Sequence, residues 1–142
     1  MTGNIDALHA YGTYDLDAIA KRFPATSDTM LIDTRLTDET EASSRVFRIY
    51  RDVPAHYHAT CDEYLLVVAG RGTIFIGDSE PFEVSPGRLI FFKKRTVHGL
   101  TVIEDPFVFL AVDTPRRDPR DITFVNPADG TPETFIKSRT LY

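Results

Sequence analysis

Four side chains able to bind a metal ion lie in the middle of this sequence. His56 and His58 are two residues apart, Glu63 follows five residues later, and His98 lies further along the chain. Because residues two apart in a β-strand point to the same face, both imidazoles would project from one side of one strand. Glu63 and His98 each stand at the start of a further predicted strand and can reach the same point. The spacing predicts one divalent metal ion bound by all four residues.

The chemistry of these ligands limits the choice of metal. Three imidazoles and one carboxylate suit the divalent ions of Fe, Mn, Ni, Co or Zn, whereas Ca and Mg prefer oxygen ligands. An octahedral ion with these four ligands keeps two open positions, which a catalytic metal needs for water, dioxygen or substrate. The only cysteine, Cys61, cannot by itself form an intramolecular disulfide or a thiolate zinc site. Any metal must therefore depend on histidine and carboxylate.

The strands that would position these residues are short and regularly spaced. From Met30 onward, segments rich in Val, Ile, Phe and Tyr alternate with Gly, Pro, Asp and Ser, which is typical of β-structure. The predicted strands are Met30–Leu36, Val46–Arg51, Tyr64–Ala69, Thr73–Ile76, Gly87–Phe92, Gly99–Val102 and Phe107–Asp113. Turn residues at 69–72, 76–79 and 85–87 imply antiparallel neighbours. Such hairpins in so short a chain favour an all-β barrel or jelly roll.

The two ends of the chain differ from this strand-rich centre. Between Asp15 and Pro24, apolar residues recur with helical spacing, which predicts a short helix with Asp15 as its N-cap. The length of 142 residues fits a single domain. We expect an N-terminal segment at 1–28, a barrel at 29–113, and an irregular tail at 114–142 that packs on the barrel or on a partner subunit.

The composition excludes several classes of function. A formal net charge of -5 and a pI near 5.3 argue against nucleic-acid binding, which needs clustered Lys and Arg. No stretch approaches the roughly 20 apolar residues of a membrane span, and the first residues lack the apolar core of a signal peptide. We therefore expect a cytoplasmic protein that acts on a small molecule and has no nucleic-acid or membrane partner.

The segment 52–102 resembles the cupin superfamily. The first cupin motif contains two His, a Glu and a Gly at the spacing found here in His56, His58, Glu63 and Gly70. The second motif places a His eleven residues after a Gly, as His98 follows Gly87. This resemblance implies a jelly-roll β-barrel that holds a metal ion in its mouth.

The second motif departs from the usual cupin pattern. Lys93, Arg95 and Val102 stand where the family usually has Pro, Gly and Asn. The replacement of Gly by Arg95 matters most, because a position that requires a positive φ favours glycine. The turn before His98 could therefore be reshaped.

Two further residues are candidates for binding a substrate. Arg48 interrupts an apolar segment ahead of the first motif and could face the barrel interior, where it would attract a carboxylate-bearing substrate. Phe92 shares a face with Ile90 and is the best candidate for a substrate wall. The alternatives are a solvated surface position for Arg48 and core packing for Phe92. We expect Cys61 to be a small buried side chain without a role and His9 to lie on the surface.

Three classes of function fit the predicted site. The first expectation is a metal-dependent dioxygenase of the cupin type, acting on a small organic substrate. The second is an isomerase or lyase in which the ion polarises a carbonyl or enolate, although no base is evident outside the ligands. The third is a small-molecule-binding or structural barrel, since one fold hosts many functions. The apolar residues of the tail and the strand edges of a small barrel favour a homodimer.

Overall fold

The computed structural model describes residues 11–139, so His9 lies outside the described residues. Within this range there are two short helices, α1 (Leu16–Ala20) and α2 (Pro132–Phe135), and one 3-10 turn, Pro127–Asp129. The strands are β1 (Leu31–Asp38), β2 (Ser43–Ile49), β3 (Val53–Tyr57), β4 (Asp62–Ile76), β5 (Phe82–Val84), β6 (Leu89–Phe92), β7 (His98–Thr114), β8 (Thr123–Phe124) and β9 (Ile136–Arg139). Among residues 11–139, no helix has the length and apolar character that crossing a membrane requires.

The strands form two layers that share β4 and β7. The first layer has the order β6-β4-β7-β2-β1-β9, and the second has the order β5-β4-β7-β3-β8. Neighbouring strands are antiparallel except for β1 and β9, which are parallel. Apolar side chains from both layers make one core, in which Phe47 of the first layer stacks on Phe109 with ring centroids 5.1 Å apart. This arrangement confirms the predicted all-β jelly-roll barrel.

Strands β4 and β7 are each longer than the sequence predicted. The segments predicted as separate strands at 64–69 and 73–76 form the single strand β4, and those at 99–102 and 107–113 form β7. The predicted turn at 69–72 is therefore wrong. Gly70 has a φ of +76° at a bend where the pairing register shifts, and the backbone of Pro106 lies too close to admit a side chain there. The glycine lets β4 bend from one layer into the other.

The predicted N-terminal helix is confirmed as α1. The side chain of Asp15 accepts a hydrogen bond from the backbone N–H of Ala18 at 3.1 Å, which satisfies one of the free donors of the first turn. The buried side chains of Ile19 and Phe23 pack in a second apolar cluster with Val46 and Val108, on the outer face of β2 and β7. The helix thus covers the back of the first layer, away from the predicted metal ligands.

The C-terminal tail is more ordered than the sequence predicted. Strand β9 pairs with the edge of β1, and β8 pairs with β3, so the tail supplies strand partners to both layers. Ile122, Phe124 and Phe135 are buried in the main core. Between these short elements the tail is irregular, as expected, and its two strands take up backbone hydrogen bonds that the edges of β1 and β3 offer.

Candidate metal centre

Three histidines converge at one end of the barrel. His56 lies in β3, His58 directly follows β3, and His98 begins β7, opposite His56 in the β3–β7 pairing. The potential ligand atoms of the three imidazoles all lie within 4.8 Å of one another, and all three side chains are buried. The predicted convergence of two strand regions on one point is thus observed for these three residues.

Each imidazole is oriented by a backbone carbonyl. The Nδ1 atoms of His56, His58 and His98 lie 2.8, 2.8 and 3.0 Å from the carbonyl oxygens of Pro54, Asp121 and Thr96 respectively. Because a carbonyl oxygen can only accept a hydrogen bond, each Nδ1 carries the proton and each Nε2 keeps its lone pair. This is the hydrogen bonding that typically supports histidine ligands of metals.

Burial keeps these imidazoles neutral. It lowers the pKa of His56 to about 4, and it holds the pKa values of His58 and His98 well below their usual range. The positive charge of Arg117 nearby lowers all three pKa values further. Neutral imidazoles with free Nε2 lone pairs are the form that binds a metal.

The donor set fits a divalent transition metal ion. Three imidazole nitrogens are borderline ligands suited to Fe, Mn, Ni, Co or Zn. The histidines border a cavity of about 20 Å³, whose other walls include Phe47, Leu65, Leu100 and Phe135. A space of this size holds an ion or a water molecule. These three histidines can therefore bind one metal ion inside the barrel.

Glu63 lies beside this group and is engaged elsewhere. It is not among the side chains whose ligand atoms meet within 4.8 Å. Its Oε2 accepts a hydrogen bond of 2.6 Å from Arg45, while its Oε1 lies 3.6 Å from Nε2 of His58. One oxygen is thus held by an arginine, and the other faces a histidine. Its role as the fourth ligand stays a prediction.

A buried cluster of charged residues supports Glu63. The guanidinium of Arg45 donates to Glu63 and to both carboxylate oxygens of Asp113, at 2.9 and 3.2 Å, and lies 3.5 Å from Asp33. All four side chains are almost fully buried. The neighbouring carboxylates raise the pKa of Arg45, while Arg45 lowers that of Asp113. One arginine therefore faces three carboxylates beneath the histidines.

This charged cluster was not predicted from the sequence. A usable signal exists in the strand pattern, since Arg45 alternates with Phe47 on the inner face of β2. Asp33 and Asp113 likewise fall inside predicted apolar strands. Charged residues of opposite sign at inward positions are expected to pair with one another.

Arg48 does not join the histidines, which corrects the expectation that it faces the barrel interior. Because side chains alternate along β2, the inward position of Arg45 places Arg48 on the outer face with Val46. Its guanidinium donates to the carbonyl of Pro24 at 3.2 Å and lies over the ring of Tyr50. Arg48 is therefore not placed to bind a substrate at the histidine group.

Phe92 lies against the histidine group. It is buried, shares the inward face of β6 with Ile90, and its ring centroid is 4.0 Å from that of His98. It is not among the residues that line the cavity. The ring therefore packs behind His98, and a role as a substrate wall stays a prediction.

The altered second motif still delivers His98 to the centre. Arg95 adopts a positive φ of 67°, the conformation for which glycine is favoured. Its backbone N–H donates to the carbonyl of His58 at 2.7 Å, which ties this turn to the end of β3. Arg95 thus adopts a conformation that glycine favours, and this turn leads directly into His98.

Arg117 is the residue at this centre that sequence reasoning missed most completely. It follows β7 in the Pro- and Arg-rich tail, yet its side chain is 1% exposed and borders the cavity. Nη1 lies 3.4 Å from Nε2 of His58. No local sequence pattern distinguishes Arg117 from its neighbours Arg116 and Arg120, which are exposed.

A match to a known protein family agrees with this geometry. Residues 50–113 match a family model described as a Cupin domain. The chain contains a cupin domain. The matched range includes His56, His58, Glu63 and His98, and the family resemblance noted in the sequence is confirmed.

Solved structures with the same fold are distant in sequence. KdgF from Halomonas sp. is 21% identical, with a TM-score of 0.58 over 63% of this chain and 82% of that one. An uncharacterized double-stranded β-helix protein from Klebsiella pneumoniae is 18% identical, with a TM-score of 0.59 over 72% and 89%. DMSP lyase DddQ from Ruegeria pomeroyi is 17% identical, with a TM-score of 0.60 over 75% and 57%. No curated protein matches the sequence significantly.

Proposed function

We propose that this cupin is a metal-dependent enzyme that acts on a small organic molecule, with a dioxygenase as the first candidate. The observation that carries the proposal is the set of three buried, neutral imidazoles whose Nε2 atoms converge while each Nδ1 is held by a carbonyl. A divalent ion bound there would supply Lewis acidity and, for a redox-active metal such as Fe, oxygen chemistry.

The residues of the chain have separable tasks in this proposal. His56, His58 and His98 hold the ion, and the carbonyls behind them keep the rings from turning. Arg45 fixes the carboxylate of Glu63 beside His58. The ring of Phe135 closes one side of the cavity with apolar surface, which limits the access of water and strengthens electrostatic interactions inside.

A non-redox lyase or isomerase is the second candidate, and Glu63 is the observation that favours it. If Glu63 is not a metal ligand, its Oε1, 3.6 Å from His58, is a carboxylate placed to move a proton near the ion. The sequence offered no such base outside the ligands. The fold likeness to a DMSP lyase is compatible with this class. A binding or structural barrel without catalysis is the alternative to both.

The two candidate enzyme classes can be distinguished by the metal they use and by whether they consume oxygen. Protein loaded with Fe(II) or Zn(II) is incubated with a panel of small organic acids, while an oxygen electrode and mass spectrometry record oxygen and products. A dioxygenase consumes oxygen together with substrate when it is loaded with Fe(II) and not when it is loaded with Zn(II). A lyase or isomerase converts the substrate without oxygen, and it does so with Zn(II) as well. Wild-type protein that binds no stoichiometric transition metal would refute both candidates.

The homodimer expected from the sequence stays a prediction. The tail residues that motivated it, among them Phe124 and Phe135, are buried against their own barrel. Light scattering at tens of micromolar protein would test it, since a dimer has twice the chain mass of 16.0 kDa. A monomeric mass would contradict the prediction.

A further inference from the structure

Arg117 is held rigidly at the edge of the histidine group. Its backbone N–H donates to Oγ of Ser43 at 2.9 Å, and its carbonyl accepts a hydrogen bond of 2.8 Å from Arg35. Its own Nε donates to the carbonyl of Asp118 at 3.2 Å, and its guanidinium lies 6.0 Å from the ring centroid of Phe135. The backbone and the base of the guanidinium are therefore fixed, while Nη1 approaches His58 and Nη2 is buried.

The two terminal nitrogens of Arg117 lack adequate partners among the described residues. Nη2 is buried and has no hydrogen-bond acceptor. Nη1 has a long contact of 3.4 Å with Nε2 of His58, and it lies 3.8 Å from the nearest oxygen of Glu63, beyond hydrogen-bonding distance. Arg45 is the opposite case, because its guanidinium meets three carboxylates. A buried arginine with free donors calls for a partner beyond the described residues, such as a bound ligand.

A bound metal would increase this requirement. Nε2 of His58 can give its lone pair either to a metal ion or to Nη1 of Arg117, so a metal-bound His58 leaves both terminal nitrogens without an acceptor. A cation held by His58 would also lie beside the positive guanidinium. An anionic group that contacts both charges would resolve the repulsion and satisfy the free N–H groups.

We propose that Arg117 binds the carboxylate of a small organic ligand next to the metal centre. The two terminal nitrogens of a guanidinium match the two oxygens of a carboxylate in a bidentate pair. This inference deepens the proposed function, on which it rests for the metal, and names the substrate class as a small carboxylate. Arg117 takes the anion-binding role that the sequence analysis had given to Arg48.

The surroundings of Arg117 limit the size of this ligand. The cavity of about 20 Å³ admits only an ion or a water molecule in the described arrangement, so a carboxylate requires the walls to move apart. Phe135 and Arg117 both belong to the tail, whereas Leu31 and Leu100 on other walls belong to the barrel. A ligand with a short apolar body, such as propionate, matches this combination of one cation and several apolar walls.

The test measures binding of propionate to Zn(II)-loaded protein by isothermal titration calorimetry. Propionamide has the same shape without the charge, and inorganic phosphate is a tetrahedral anion. The variants are Arg117→Gln, Arg117→Lys and the control Arg120→Gln, whose guanidinium is exposed and pairs with Glu133. We expect the wild type and the control to bind propionate and not propionamide, and Arg117→Gln to bind it about 10- to 100-fold more weakly. Arg117→Lys keeps the charge without the fork and should lie between them.

Separate measurements distinguish the failure of this inference from the failure of the metal site. Zn(II) affinity in Arg117→Gln should equal or exceed that of the wild type, because a competitor for the lone pair of His58 is removed. If the wild type binds no metal, the proposed function fails. Calorimetric titration of the metal-free protein with propionate then still tests whether Arg117 binds a carboxylate. Equal propionate binding by wild type and by folded Arg117→Gln, checked by thermal melting, would overturn it. Tighter binding of phosphate than of propionate would overturn the assignment to carboxylates.

Discussion

The histidine group and the charged cluster around Arg45 are equally buried, but they compensate the cost of buried polar groups in different ways. On one side, His56, His58 and His98 avoid the cost of buried charge by staying neutral, and their Nε2 atoms face the cavity. On the other side, Arg45 borders the cavity and stays charged together with Asp113 behind it, and the two compensate through two hydrogen bonds. The histidine side therefore offers the cavity three free lone pairs, while Arg45 and Asp113 on the charged side are occupied with each other.

Glu63 and Arg117 lie at the boundary between these two sides. Glu63 is bound to Arg45 through one oxygen and faces His58 with the other. Arg117 approaches both Glu63 and His58 and is fully satisfied by neither. Glu63 and Arg117 therefore keep hydrogen-bonding capacity for a ligand, which groups that are fully paired with each other do not have.

Removing the histidine side should abolish metal binding. We expect wild-type protein purified without chelator to carry close to one first-row transition metal per chain, and His56→Ala combined with His58→Ala to carry none, because two of three imidazole ligands are lost. Elemental analysis of both proteins measures this. The control is Arg71→Ala with Glu83→Ala, an ion pair on the surface. Trace metal that is the same in all three proteins would contradict the metal site.

Breaking the charged side should reduce stability instead. Asp113→Asn removes a buried carboxylate that binds Arg45 twice, so we expect the free energy of unfolding to fall by about 3–5 kcal/mol. The control is Glu83→Gln, which breaks a surface pair with Arg71 and should cost about 0.2–1 kcal/mol. Urea unfolding of the metal-free proteins compares the two. Equal losses in both variants would show that the buried cluster is not a structural support.

Acid should weaken the histidine side of the metal-free protein first. The pKa of His56 is about 4 in the folded chain and near its usual 6.5 in the unfolded chain, so the unfolded state binds the proton earlier. The free energy of unfolding should therefore fall between pH 6.5 and 4, by roughly 3 kcal/mol for His56 alone. Glu63 opposes this trend, because burial raises its pKa.

A variant isolates the histidine contribution to this pH dependence. Metal-free His56→Ala with His58→Ala keeps the carboxylates and should lose less stability between pH 6.5 and 4 than the wild type. The lowered pKa of Asp113 places its own contribution in a separate window, lost as the pH falls below about 3.8. Thermal melts over this pH range measure the difference. Parallel curves for both proteins would show that the histidines are not held neutral by burial.

Glu63→Gln tests the boundary and should have the smallest effect. If Glu63 binds the ion, its loss of charge should lower metal affinity about 10- to 100-fold, as for other damaged metal shells. If it is only the partner of Arg45, metal affinity stays constant while the free energy of unfolding falls. A competition titration with a chromophoric chelator, beside a thermal melt of the metal-free form, separates the two outcomes. Unchanged affinity would leave a three-histidine centre and favour Glu63 as a proton-transfer group.

The histidine side was predictable from sequence because its geometry is largely local. The two-residue spacing of His56 and His58 places them on one face in any strand, and the Gly-to-His spacing identified His98. The jelly roll followed from short apolar segments and marked turns. The merging of two predicted pairs into β4 and β7 did not, because Gly70 serves a bend as readily as a turn and only the pairing across β7 decides between them.

The sequence by itself determined the fold class and the three imidazoles, since both follow from alternation and spacing within a few residues. Only the tertiary structure decided which charges surround them. Arg45 meets Asp113 across 68 residues of sequence, and Arg117 reaches His58 across 59. The strand pattern indicates that Arg45 and Asp113 face inward, but strand order and the path of the tail decide which residues meet. The orientation of β2 in the sheet places Arg48 on the outer face, away from the cavity. The path of the tail brings Arg117 to the cavity.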